Sequence, residues 1–437
     1  MLRLLAHLGF PFYTPKGAFP VGGAVRDLLL GRRPLDLDFA ARDPLAAAKE
    51  AQARLGGTLF PLDEGRGQYR LVVPRPGPQP PLTLDFAPLE ATLEEDLLRR
   101  DFRLNALLWK EGRVFGLPGA EGDLCRRLLV PVREANLYAD PLRSLRAVRL
   151  AASLGLGLPA ETRRALSRHA RFLLAHPEAL PARERVREEL AKLLLSPRAA
   201  WGLHILERTG LLDVYLPELR PLVGLEQGGV HHLDAWRHTL SVLFHLSWLW
   251  PEAPLAARLA ALYHDVGKPL TRRYDPERGR FRFLGHAEVG AEVAAASLLG
   301  LRFPKAAVEE VRALVRRHMD RPPEGQKALR RFYFRRKDLL PALPYLMAAD
   351  RLGTRGVEGE AWEVLEGFQL AAQTPLPERP LLSGEEVMAL LGLRPGPEVG
   401  RALALLLEAQ AEGRVQSPEE AKALLLYWKG GGQDPAS

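Results

Sequence analysis

The spacing of apolar positions in the first 125 residues changes repeatedly, and each change marks an element. MLRLLAHL opens with helical spacing and predicts a short capping helix over Leu2 to Leu8. Behind a Gly22–Gly23 turn, AVRDLLL predicts a helix over Ala24 to Leu30 that stops at Gly31. Leu35 to Phe39 alternates apolar and acidic residues, so a half-buried strand should carry Asp36 and Asp38 on one face. Helical spacing returns over Pro44 to Leu55. Tyr69 to Val73 and Leu82 to Phe86 are apolar runs joined by PRPGPQPP, which predicts paired strands with a stiff surface connection. Glu94 to Leu108 predicts a helix whose Arg99, Arg100, Asp101 and Asn105 surround an apolar stripe.

Beyond Arg126 the pattern is helical throughout, interrupted at Pro159, Pro177, Pro181 and Pro197. The expected organisation is a mixed α+β head over 1–125, an all-helical neck over 126–224, a third and helical domain over 225–356, and a helical tail over 357–437. In the tail, PGPEVG at Pro395 to Gly400 opens a helix, and the closing GGGQDPAS is too polar to pack. Arg330 to Lys337, RRFYFRRK, interleaves bases with aromatics. It suits either an RNA-stacking surface or a helix with an apolar stripe, and the stripe is favoured.

A chain of 437 residues exceeds one ordinary core, and 47% apolar content suffices for several. The net charge of +8 suggests a polyanionic partner, and its placement sharpens that. Residues 126–200 hold 15 Lys plus Arg against 7 Asp plus Glu, while the other 46 basic and 46 acidic residues balance. The whole excess therefore lies in the neck, where it would meet an RNA backbone. A single cysteine, Cys125, rules out an internal disulfide framework and fits a cytoplasmic protein. The N-terminus lacks a signal-peptide pattern, and no apolar stretch is long enough to span a bilayer. Arg in excess over Lys, frequent Pro and only two Asn suit a thermophile.

Candidate chemistry begins at the glycine turn. Gly22 and Gly23 let backbone N–H groups approach a phosphate, Arg26 adds a donor fork, and Asp36 with Asp38 would hold Mg²⁺ carrying a nucleotide triphosphate. Asp85 would be a third carboxylate if its strand neighbours theirs; otherwise it is an edge-strand aspartate. In the neck, Asp140 and Arg143 lie three apart at one helix start and predict a salt bridge or a base-reading pair. A carboxylate accepts from the amino group of cytosine or adenine while an arginine donates to the ring acceptors beside it; uracil and guanine present the opposite polarity. Further on, His238, His264, Asp265, His286, His318 and Asp350 recur at spacings of 20 to 35 residues among only 11 histidines. Such a set suits a divalent transition metal.

GGAVRD followed by LDLDFA, RRDFRLNAL at Arg99 to Leu107, DPLRSLRAVRL at Asp140 to Leu150, the His264–Asp265 pair and SGEEVMALLGLRPGPEVG together resemble class II tRNA nucleotidyltransferases and bacterial poly(A) polymerases. The resemblance covers nearly the whole chain. It implies a polymerase-β-like nucleotidyltransferase head, a helical neck, an HD domain and a helical tail. It also implies attack of the 3′ end of tRNA on CTP or ATP, with Asp36 and Asp38 catalytic. Arg100, Asp101 and Asn105 match the family motif that holds the nucleotide and its ribose, with Arg103 in place of the usual Thr. FGLPGAEGDL matches a family turn at Gly119 and Asp123, but Gly116 replaces its Asp. Asp140 and Arg143 match the family's base-selecting template, with Ala139 in place of Glu. The histidine set resembles HD phosphohydrolases, in which His238, His264, Asp265 and Asp350 bind one metal and His286 with His318 permit a second, activating water against a phosphate ester.

Product length follows from a missing segment. Family members that add the terminal A carry a flexible loop before the RRDF motif, whereas here Asp85 is followed only by APLEATLEEDLL after Phe86, without a single Lys or Arg. The resemblance is thus closest to enzymes that add two cytidines. Full CCA addition, A or poly(A) addition, an HD phosphohydrolase with a vestigial head, and an RNA-binding protein with both sites dead are the alternatives.

Overall fold

The computed structural model describes every residue except Met1, Leu8, Phe10, Leu35, Pro78, 229–232, 355–357, 374–375 and 431–437, so most of the polar GGGQDPAS terminus lies outside the described residues. Two compact units result, Met1–Pro217 and Glu218–Ser437. The first holds the head and most of the predicted neck.

Eight strands form the head sheet: β1 (Arg3–His7), β2 (Ala18–Val21), β3 (Asp36–Ala41), β4 (Thr58–Asp63), β5 (Gln68–Val73), β6 (Leu82–Pro88), β7 (Leu107–Lys110) and β8 (Arg113–Gly116). Their order is β1-β8-β7-β2-β3-β6-β5-β4. Among the described strands of this sheet only β3 and β6 run parallel, with Asp38 beside Asp85 and Phe39 beside Phe86. Strand alternation sends Leu37, Phe39 and Ala41 into a core with Leu71, Leu84, Phe86 and the Ala47, Ala48 and Ala51 face of helix Pro44–Leu55. Asp36 and Asp38 therefore share the opposite, open face. Phe39 and Phe86 stack at 5.0 Å between ring centroids, tying the acidic strand to its parallel neighbour.

Two sequence expectations fail here. Arg3–His7 is an edge strand paired with β8 from Arg3–Gly116 to His7–Arg113 rather than a capping helix. The segment has no capping side chain to start a helix, and the open edge of β8 satisfies its backbone instead. The expected helix over Glu94 to Leu108 stops at Leu98, becomes a single 3-10 turn at Arg103–Asn105, and continues as β7. Neck backbone outcompetes the helix, since Arg103 N–H donates to Val130 O at 2.9 Å and Val132 N–H to Asp101 O at 3.0 Å.

The neck is helical as expected, through Ala135–Ala139, Arg143–Leu154, Ala160–Ala175, Arg183–Leu194, Ala199–Thr209 and Leu211–Tyr215. In the second unit, helices Ala235–Leu249, Leu255–Tyr263, His286–Gly300, Lys305–Arg317 and Ala342–Leu352 carry the histidine set or flank it. Tail helices Gly384–Leu391, Pro397–Ala411 and Pro418–Lys429 close on their own core of Val387, Leu391, Leu406 and Leu425. The apolar-stripe reading of RRFYFRRK is the one realised. Phe332, Tyr333 and Phe334 are buried, and buried Arg330 donates to the carbonyls of Ala371 and Ala411. Those rings are closed to RNA. No described helix is long and apolar enough to cross a membrane.

Candidate functional site

Val21 ends β2 beside Asp38 on one side and Leu108 on the other, so the glycine turn is delivered directly to the acidic strand. Gly22 sits at φ 74°, and a Cβ there would lie 2.8 Å from Arg100 Nη1 and 3.3 Å from Asp38 Oδ2. Only glycine lets Arg100, Asp38 and the turn converge. Gly22→Ala should therefore cut nucleotide addition at least tenfold, through about 1 kcal/mol or more of backbone strain plus displacement of Arg100; unchanged kcat/KM would refute this. Gly22 N–H is not free for phosphate, because it donates to Leu107 O at 3.0 Å.

Charges in this cleft form a connected chain. Arg100 donates through Nε and Nη2 to Asp96 at 3.2 and 3.0 Å, which leaves Nη1 at the glycine turn. Arg26 is buried and divided between Asn105 Oδ1 at 2.6 Å and Asp27 at 2.9 Å, so it braces Asn105. Asn105 donates to Asp101 Oδ1 at 3.0 Å, and Asp101 also accepts from Phe102 N–H at 2.7 Å. Asp38 reaches solvent at the mouth but is crowded on its inner side, and that desolvation pushes its carboxyl up to about 6. Arg100 and Arg26 draw it down, while Asp85 and Asp36 drive it up. A carboxylate so placed is short of positive charge, which is how the acidic pair fits a divalent cation. Asp85 lies in register with Asp38 but is held bidentately by Arg70 at 2.7 and 2.7 Å. The third acid is present and already neutralised.

Arg103, standing where the family motif has Thr, pairs with buried Asp123 at 2.8 Å and supports the turn at Gly119. Asp140 and Arg143 do not share one helix. Asp140 ends helix Ala135–Ala139 in extended conformation, and Arg143 begins the next. The expected salt bridge between them is not formed: Asp140 pairs with Arg185 at 2.8 Å, and Arg143 donates to the Asn136 carbonyl at 2.9 Å. Arg143 Nε is buried without any hydrogen-bond partner among the described residues. Leaving such a donor unmet costs about 1–3 kcal/mol.

The second centre gathers all six residues singled out in the sequence. His238 Nε2 lies 2.9 Å from Asp350 Oδ1 and 3.8 Å from Asp265 Oδ2; His264 Nε2 lies 3.3 Å from Asp265 Oδ2; His286 Nε2 lies 3.6 Å from Asp265 Oδ1 and 3.4 Å from His318 Nε2. Two triads share Asp265, namely His238–His264–Asp265 and Asp265–His286–His318. Each histidine presents Nδ1 to a backbone carbonyl: Gly353 for His238, Ala261 for His264, Phe283 for His286 and Val315 for His318. A carbonyl only accepts, so Nδ1 keeps the proton and every Nε2 lone pair faces the centre. Burial, then His264, pushes His318 down to about 4, and His264 Nε2 is buried with no hydrogen-bond partner. The donor set fits one or two divalent metals. Gly267 makes the fit possible, since a Cβ there would stand 2.2 Å from the carbonyl of His286.

Sequence reasoning passed over Lys268, which donates to Asp265 Oδ2 at 2.7 Å and to Gln227. Its spacing of three from Asp265 within HDVGK was the available signal. Around the centre a cavity of about 600 Å³ is lined by Lys268, Arg280, Arg282, Arg316, Arg321 and Arg351 among others.

An acidic strand beside a glycine turn, joined in one chain to a histidine–aspartate metal centre, defines a nucleotidyltransferase carrying an HD domain. Family models agree: Poly A polymerase head domain over 18–71, Probable RNA and SrmB-binding site of polymerase A over 155–222, and HD domain over 235–355. The chain belongs to the tRNA nucleotidyltransferase and poly(A) polymerase family. It is 75% identical to the CC-adding tRNA nucleotidyltransferase of Thermus thermophilus over 99% of this chain and 98% of that one. It is 47% identical to the A-adding tRNA nucleotidyltransferase of Deinococcus radiodurans over 95% and 96% of the two chains. The crystal structure of the Bacillus stearothermophilus CCA-adding enzyme in complex with CTP superposes with a TM-score of 0.66 at 26% identity, covering 95% of this chain and 93% of that one.

Proposed function

We propose that the chain adds two cytidines to the 3′ end of tRNA, using CTP, and leaves the terminal A to another enzyme. The reaction is attack of the RNA 3′-hydroxyl on the α-phosphate of CTP with release of pyrophosphate. Asp36 and Asp38 would hold Mg²⁺, which when bound would supply positive charge at the α-phosphate. Gly23 and the spare arm of Arg100 receive the triphosphate, Gly22 keeps the approach to them open, and Asp101 with Asn105, which Arg26 braces, receives the nucleoside. Asp140 accepts from the cytosine amino group while Arg143 donates to its ring acceptors. The convergence of Asp38, the Gly22 turn and Arg100 Nη1 on one point of the head sheet is the observation that carries the nucleotide-transfer reading.

Two features support the short product. Only Leu89 to Thr92 separate β6 from helix Leu93–Leu98, so no mobile loop exists there to shift the base pocket. The relative at 75% identity bears a CC-adding name. Basic residues Arg163, Arg164 and Arg171 on helix Ala160–Ala175 offer tRNA a cationic face within a reducing cytoplasm, while Arg168 is held by Glu134. With tRNA lacking CCA, CTP and ATP together, the expected product ends in CC; a CCA product made by this protein alone overturns the CC-only reading. Arg143→Ala should lower discrimination against UTP roughly 10- to 100-fold, by loss of one base contact.

A second activity belongs to the HD centre, for which we propose hydrolysis of a terminal or 2′,3′-cyclic phosphate at an RNA end. His238, His264, Asp265 and Asp350 would hold one divalent transition metal, and Asp265, His286 and His318 a second. The metal when bound supplies Lewis acidity for attack by water on the phosphate. Arg280 and Arg321, which line the cavity beside Glu288, Asp320 and Glu360, suit a phosphate substrate.

A further inference from the structure

The base-reading pair is fastened at both ends from outside its pocket. At one end, Arg185 of helix Arg183–Leu194 donates to Asp140 Oδ2 at 2.8 Å, and Leu142 N–H donates to Oδ1 at 3.3 Å. At the other end, Arg143 is held by the carbonyl of Asn136 at 2.9 Å. The side-chain amide of Asn136 spends both hydrogens on the carbonyls of Leu98 and Arg100, at 2.9 and 2.7 Å. Those carbonyls belong to the end of helix Leu93–Leu98 and to the motif that carries Arg100, Asp101 and Asn105. Between the two ends, the Pro141 carbonyl accepts from buried Ser144 at 3.1 Å and from buried Tyr215 at 3.2 Å.

The fastening helix is itself fixed. Glu189, one turn beyond Arg185, accepts from Arg146 at 3.1 Å and Arg149 at 2.8 Å, and Arg146 lies 3.7 Å from Asp101. Nucleotide motif, base reader and neck helix thus form one closed circuit of charge and hydrogen bonds. A purine ring is larger than a pyrimidine, so accepting adenine after cytosine would call for a second arrangement of Asp140 and Arg143, and a ligand shifts an equilibrium only by its preference between arrangements.

We infer that Arg185 and Asn136 are positioning residues that lock Asp140 and Arg143 in one setting and so restrict the pocket to one base. This rests on the reading of Asp140 and Arg143 as the base selector. The Arg185–Asp140 pair is half exposed on the arginine side, so it adds little to global stability while biasing which way the carboxylate faces.

The test is the ratio of kcat/KM for CTP to that for ATP, measured on full-length protein with tRNA ending before CCA and tRNA ending in CC. Arg185→Ala should lower that ratio about two- to fivefold with the thermal midpoint nearly unchanged, and Arg185→Lys should restore much of it. Asn136→Ser should lower it in the same direction. In an Asp140→Ala background, Arg185→Ala should change nothing further, because its route of action is gone. Wild-type selectivity in both Arg185→Ala and Asn136→Ser, with selectivity lost in Asp140→Ala, overturns the lock alone. Unchanged selectivity in Asp140→Ala and Arg143→Ala overturns the base-selector reading and the lock with it.

Discussion

Asp38→Ala should lower nucleotide addition by about a thousandfold or more while tRNA affinity stays within roughly twofold of wild type, because the carboxylate serves charge at the phosphate and the neck supplies affinity. The geometry makes this the most damaging single change in the head. Asp38 alone among the strand acids touches the glycine turn, faces the free arm of Arg100 and lies in register with Asp85. Asp36→Ala should follow closely. Asp85→Ala should cost far less, since Arg70 already occupies both of its oxygens. Incorporation of labelled CTP into tRNA, alongside filter binding of the same tRNA, separates the two effects. Extension near the wild-type rate by Asp38→Ala would remove the catalytic assignment.

The HD centre should be separable from the head. His264→Ala should abolish metal-dependent phosphoester hydrolysis, at least about a hundredfold, and leave CTP incorporation as in wild type. His264 is fully buried, its Nδ1 is committed to Ala261 and its Nε2 faces Asp265, so removal deletes a ligand and opens a polar hole around both acids. Chelation of the wild-type protein should reproduce the loss, and added transition metal should reverse it. Elemental analysis gives an independent readout: up to two metal ions per chain in the wild type, fewer in the variant. Protein that binds no divalent transition metal and hydrolyses no phosphoester offered would sink the assignment.

Legibility of these features in the sequence follows the range of the forces involved. Helix Pro44–Leu55 and the pairing of β5 with β6 were legible because periodicity and proline punctuation are local. The six candidate HD ligands were legible because histidine is scarce in the chain, and the four histidines among them sit near helix ends, where each Nδ1 finds a carbonyl. Non-local competition hid the rest. Leu4 and Leu5 have helical spacing, yet the edge of β8 claims them; Asn105 and Leu107 leave the expected helix because residues 130–132 pair with the backbone before them. Asp140 and Arg143 are three apart in sequence but stand at the end of one helix and the start of the next, and their partners Arg185 and Asn136 lie 45 and 7 residues away and carry no signature by spacing.

The four residues Leu89 to Thr92 bear on how such a chain diversifies. Leu89 N–H extends the parallel ladder by donating to Ala41 O at 2.8 Å, and the Thr92 side chain caps the following helix by accepting from Glu95 N–H at 3.1 Å. Glu90 and Ala91 between them are exposed, so new sequence inserted there disturbs neither anchor. Closing a sixteen-residue loop instead of a four-residue one costs only about 1.2 kcal/mol, two doublings at about 0.6 each. Folding stability therefore sets almost no barrier against acquiring a longer segment at this point. Selection on the finished RNA end, rather than on the fold, would then decide whether an insertion at this tolerant joint is kept.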